Sequence, residues 1–166
     1  MLPALNQIGA QQAQPTQEIL KKVQRLMDYA NTYKNAYVRF YASDMQLMVD
    51  SDAAYLVLPK ARSRIAGYFR LANTPSSKYK YKDNGAILIE CHTLRDVVTS
   101  AAEAETKGVF QNAKLSLPIH HLLIATKYPQ FPTPIAKDNT TTTGFVHNNT
   151  GMKRSKSWDM NLDWLR

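Results

Sequence analysis

The hydrophobic pattern of this chain changes after Asp96 from the period of strands to that of helices, and that change narrows the folds open to it. Before it, "NAYVRFYAS", "MQLMVDSD", "SRIAGYFRL" and "AILIEC" are short runs rich in β-branched and aromatic residues, and each reads as a strand. A polar connection, "PSSKYKYKDNG", closes on an Asn-Gly turn before the last of them, so the runs suit an antiparallel meander. After Asp96, in "SAAEAETKGVFQNAKL", Ala101, Glu105, Gly108, Val109 and Asn112 trace one stripe at helical spacing. Pro118 is expected to start a second, short helix, and "PTPIAKDN" reads as a strand that ends on Asp138. Strands, then helices, then a strand call for an α/β fold, a mixed sheet flanked by helices.

Both ends of the chain read as helix. Pro15 and Thr16 open a pattern in which Ile19, Val23, Leu26, Met27 and Ala30 share one face while Lys21, Lys22 and Arg25 share the other, running to about Tyr33. The final stretch, "SKSWDMNLDWLR", sets Asp159, Leu162 and Asp163 at helical spacing. A length of 166 residues suits about one domain with a core of its own. No apolar run approaches the ~20 residues of a membrane span, and the N-terminus lacks the basic-then-apolar order of a signal peptide, so an intracellular protein without membrane attachment is expected. The lone Cys91 excludes an internal disulfide framework and any CxxC zinc site.

Charge narrows the partner. Lys and Arg exceed Asp and Glu by eight, and the surplus gathers in "KKVQR", "KARSR", "KYKYK" and "KRSK". A run of this kind is ordinarily a solvated surface, but several on one domain suit a polyanion. Tyrosines between Lys78, Lys80 and Lys82 add a stacking surface.

Only four glutamates occur, and two of them, Glu103 and Glu105, fall among alanines in the helical stripe. Residues two apart on a helix lie about 200° apart, so they cannot share a face. Glu105 is the acid on the inward stripe, which leaves Glu103 outward. With Thr99 or Ser100 as N-cap, both also complement the helix dipole.

Five motifs resemble, in order, those of the ribonuclease H domain in copia-type LTR retrotransposon polyproteins. "MVDSDAAYL" is similar to that family's "SDADWAG", "RSRIAGYF" to "RSTSGYVF", "TSAAEAETKG" to "SSTEAEYMA", "AKDNTT" to "CDNQSA", and "RSKSWDMNLDWLR" to "RTKHIDVRYHFIR". Before them, "ALNQIGAQQAQPTQEILKKVQRLMDYANTY" resembles the connecting segment that follows the reverse transcriptase. The resemblance implies a connecting helix over residues 1–35 and a ribonuclease H-like domain over 36–166, truncated at its C-terminus, since Arg166 comes only seven residues after Asp159.

Carried onto this sequence, the family's catalytic acids are Asp50, Glu105, Asp138 and Asp159. Carboxylates brought that close stay ionised only if cations neutralise them, and an all-oxygen set selects Mg²⁺ or Mn²⁺ over zinc. Two such ions would clamp the attacking water and leaving oxygen in hydrolysis of the RNA strand of an RNA–DNA hybrid. Lys78, Lys80, Lys82, Lys153, Arg154 and Lys156 would contact phosphates. His147, between Asp138 and Asp159, stands where a proton carrier for product release would sit, although loop histidines need no catalytic reason. Lys137 replaces the family's Cys and Trp158 its "HID" histidine. Beyond the hybrid, the implied partner is the rest of the Pol polyprotein, reverse transcriptase included, and the implied location a cytoplasmic virus-like particle or the nucleus. The alternative is a catalytically inactive remnant that binds nucleic acid or the polyprotein; a related nuclease acting on DNA is a third reading.

Overall fold

The computed structural model describes residues 1–74, 84–137, 160–161 and 164–165. The chain divides into two compact units, Met1–Val38 and Arg39–Arg166.

The first unit holds two helices, α1 (Leu2–Gly9) and α2 (Gln17–Thr32). Thr16 caps α2 as its spacing predicts: its side chain accepts from the Ile19 N–H at 3.3 Å. Lys22 and Glu18 pair at 3.0 Å one turn apart on the polar side.

Among the described residues of the second unit a mixed four-stranded sheet is built from β1 (Gln46–Leu58), β2 (Arg62–Ala72), β3 (Ala86–Thr93) and β4 (Ile135–Ala136). Their order across the sheet is β3-β2-β1-β4. β1 with β2 and β2 with β3 are antiparallel, as the meander requires, while β4 joins β1 in parallel after a long helical crossover. That crossover is α3 (Ala101–Ala125), which packs on β1 and β2. Phe69, Leu47, Ile65 and Val49 are almost wholly buried, and a cluster of Ile65, Leu94, Val98 and Ala104 seats the start of α3. None of the helices among the described residues is long and apolar enough to cross a membrane.

Two elements differ from the sequence pattern. "NAYVRFYAS" forms no strand. Its backbone is held instead by a side chain: Asn84 accepts from the Tyr41 N–H at 2.8 Å and donates to the Tyr41 carbonyl at 3.1 Å and the Leu71 carbonyl at 2.7 Å. An amide side chain thus satisfies polar backbone groups that a ladder would otherwise pair. At Pro118 the helix does not restart but runs through, so one long helix replaces the expected two. The missing proline N–H removes one bond, and Ser116 Oγ donates to the Ala113 carbonyl at 2.7 Å in the same turn.

Candidate functional site

Contacts between α3 and the sheet fix which side chains of β1 look at the helix. Asn112 Nδ2 donates to Ser51 Oγ at 2.9 Å and to the Ala66 carbonyl at 2.9 Å. At Gly108 a Cβ would lie 3.6 Å from Ala53 Cβ and 3.5 Å from Ile65 Cγ2, ordinary contact distances, so this turn of the helix faces both residues. Across the ladder Ser51 pairs with Gly67 and Ala53 with Ile65, with no irregularity between Gln46 and Ala54. Successive strand side chains alternate, so Ser51 and Ala53 face α3 while Asp50 and Asp52 face away from it.

Asp50 meets Arg70 on that far side in an ion pair. The register sets Asp50 opposite Tyr68 and Met48 opposite Arg70, making the pair a diagonal one on a single face. Arg70 is only 12% exposed against 41% for Asp50, so the carboxylate is chiefly the counter-charge of a mostly buried guanidinium. The Arg70 guanidinium also lies 6.0 Å from the centre of the Tyr68 ring.

On the α3 side, Glu105 is 7% exposed, on the inward stripe as its spacing predicts. Ala136 pairs with Asp50, and Lys137 follows directly on that last pair of the ladder. Its Nζ is buried without a hydrogen-bond partner. Burial pushes the Lys137 pKa below the ordinary lysine value, and the negative charge of Glu105 pulls it back up.

Glu103 is not the outward acid that the spacing suggests, being only 3% exposed. Ser100 is the N-cap, accepting from the Glu103 N–H at 3.1 Å, while Glu103 Oε2 accepts from the Thr99 N–H at 2.8 Å and the Thr99 hydroxyl at 2.9 Å. Its carboxylate closes the helix start by reaching back to the residue before the cap, a variant of the capping box. Lys107, on the next turn, is also buried and bonds Asp96 at 2.7 Å. His120 Nδ1 lies 2.9 Å from Thr133 Oγ1, tying α3 to the segment that leads into β4.

Asp138, Asp159, His147, Lys78, Lys80, Lys82, Lys153, Arg154 and Lys156 lie outside the described residues. Next to Asp159, Met160, Asn161, Trp164 and Leu165 are helical, and Trp164 packs edge-on against Phe110 of α3 with ring centres 5.0 Å apart.

A two-ion site needs its carboxylates around the same cations. Strand alternation puts Asp50 on the face of β1 away from α3, where Arg70 pairs with it, and Glu105 lies on the α3 side, while Asp138 and Asp159 lie outside the described residues. Among the described residues no group of three or more His, Cys, Asp or Glu is arranged to hold a metal ion. No protein-family model, curated protein or solved structure matches the chain.

Proposed function

We propose that the chain is a ribonuclease H-like domain of a copia-type Pol polyprotein that binds nucleic acid, RNA–DNA hybrid in particular, without cutting its RNA strand by the two-ion scheme. The fold reading is supported by three antiparallel strands, a crossover helix and a parallel strand beside the first, in the order of the five family-like motifs. A surplus of eight positive charges supports a polyanionic partner.

One observation carries the non-catalytic half of the reading. Asp50, matched to the family's first catalytic aspartate, points away from α3 and is neutralised by Arg70, whereas Glu105 faces the sheet with Lys137 in its field. Hydrolysis of the RNA strand is the second reading, favoured by the burial of Glu105 and by Asp138 following directly on Lys137.

The test uses labelled RNA–DNA hybrid, duplex DNA and duplex RNA, each with Mg²⁺ and with EDTA. The expected result is binding of hybrid in both conditions, weakening steeply with salt, and no metal-dependent product. Mg²⁺-dependent cutting of hybrid RNA would replace this reading with the second. Failure to bind any of the three would remove both.

A further inference from the structure

Two connections meet at one end of the sheet, the β1–β2 turn and the segment after β3, and both carry basic residues. β1 and β2 are joined through Pro59–Ala61, an exposed turn in which Lys60 and Ala61 hold left-handed backbone with φ of 61° and 51°. Pairing continues past the end of β3: Arg64 stands opposite Thr93, and the Leu94 N–H donates to the Ser63 carbonyl at 2.9 Å. Arg62 thereby comes against the second connection, where its Nη1 donates to the Arg95 carbonyl at 2.8 Å and to the Leu94 carbonyl at 3.4 Å. An exposed arginine ordinarily moves with the solvent, but this one is anchored through one nitrogen, and Nε and Nη2 remain for an outside acceptor. Arg95 itself is exposed. Within residues 59–62 and 94–100 the one acid is Asp96, and Lys107 already pairs with it at 2.7 Å. Arg64, next on β2, has Asp52 as its diagonal neighbour across the ladder, so those two charges offset each other.

We propose that Lys60, Arg62 and Arg95 form one phosphate-contacting surface, on which the backbone of a nucleic-acid duplex lies across the β1–β2 turn and the connection after β3. This rests on the nucleic-acid reading given above and gives it a place on the fold. Phosphate suits the donors: a guanidinium meets it through paired N–H groups, and Lys60 adds a point charge at the turn. Three positive charges with no uncompensated acid among them suit a ligand that carries a negative charge at every step of its backbone. The anchoring of Arg62 lowers the side-chain freedom that binding has to remove. Contacts of this kind hold a duplex in place without reading its sequence.

Fluorescence anisotropy of labelled RNA–DNA hybrid, titrated with the full chain in EDTA over a series of salt concentrations, tests it. Three forms are compared: unmodified, Lys60→Asn with Arg95→Gln, and Lys114→Gln with Lys127→Asn. The last removes the same charge from the middle of α3 and the turn that ends it, where both lysines are exposed. Asn tolerates the left-handed backbone of positions 60 and 127, and Arg62 with its carbonyl bonds is left in place to keep the fold. The Lys60–Arg95 variant is expected to bind hybrid about tenfold or more weakly at about 0.1 M salt, with a slope of log affinity against log salt smaller by about two. The α3 variant should stay within about threefold of the unmodified chain, its charges being far enough away to be screened. Equal losses in the two variants would overturn the proposal, because net charge and not this surface would then set binding. A Lys60–Arg95 variant that binds like the unmodified chain would overturn it too. Should that variant melt well below the unmodified chain, Arg95→Gln alone is read instead: a slope smaller by about one supports the surface, and an unchanged slope overturns it. Failure of the unmodified chain to bind hybrid removes the nucleic-acid reading and the surface together, a result distinct from binding that ignores these residues.

Discussion

Asn112 on α3 and Ser51 on β1 are joined side chain to side chain at 2.9 Å, and that one bond decides the parity of the strand up to Ala54. With Ser51 toward the helix, every even-numbered residue from Met48 to Ala54 faces the opposite side.

Gly67, opposite Ser51, is part of the same arrangement. A Cβ there would fall 2.3 Å from Asn112 Oδ1 and 2.9 Å from a Phe69 ring carbon, so the amide occupies the space that any side chain would need. Gly67→Ala is expected to lower stability by about 1–3 kcal/mol through overpacking. Asn112→Ala leaves the Ser51 hydroxyl and the Ala66 carbonyl without this donor and should cost a similar amount, about 1–3 kcal/mol. Urea unfolding midpoints check both; a Gly67→Ala midpoint equal to that of the unmodified chain would mean that the helix does not sit as described.

The start of α3 gives a second expectation. Glu103 accepts two bonds from Thr99 and its own N–H is taken by Ser100. Removing the carboxylate in Glu103→Ala should cost about 1 kcal/mol and speed amide exchange in the first turn. Glu103→Gln keeps an acceptor for the Thr99 N–H and should lose less. If Glu103 were an outward, solvated acid, both substitutions would leave exchange in that turn unchanged.

The change of hydrophobic period made most elements legible: α2 and its Thr16 cap, strands β1 to β3, the inward stripe through Glu105 and Asn112, and the strand after Pro134. Strand parity was not legible, and the reason is local. Leu47, Met48 and Val49 are all buried, so the run just before Asp50 is apolar on both faces and says nothing about which way Asp50 points. Only Ser51 and Asn112, two polar residues that pair across a helix–sheet contact, carry that information, and their sequence separation hides it. The inward reading of Glu105 held while that of Glu103 did not, because a helix N-terminus buries acids for capping as well as for packing. Lys137 stood out as a departure from a family motif, but its burial depends on where β4 lies beside β1.

Pro118 provides a test of the continuous helix. It is exposed in the interior of α3 and lacks the N–H that would return to the Lys114 carbonyl. Pro118→Ala supplies that donor and relieves the ring's clash with the preceding turn, so it should stabilise the chain by roughly 1–3 kcal/mol and raise helical circular dichroism. Two separate helices meeting at Pro118 would instead lose a favourable start, and the same substitution would then be neutral or harmful.

The two described acids of the family-like set should respond to substitution in different ways. Asp50 neutralises a guanidinium that is 12% exposed, while its own carboxylate keeps 41% exposure. Asp50→Asn keeps a hydrogen-bond acceptor but removes the counter-charge, and with one partner in water the expected loss of stability is about 1 kcal/mol. Arg70→Met should cost less than Asp50→Ala, because it leaves behind a carboxylate that water can reach, whereas Asp50→Ala leaves a mostly buried cation. Neither Asp50 variant should change the response of the melting temperature to Mn²⁺, since Asp50 lies across the sheet from Glu105. A metal ligand behaves otherwise: its amide removes charge from the ion and lowers both binding and any stabilisation by the ion. Melting curves of the unmodified chain and of Asp50→Asn, each with and without Mn²⁺, separate the two. Mn²⁺ stabilisation of the unmodified chain that Asp50→Asn removes would return Asp50 to the face of Glu105 and with it the two-ion reading.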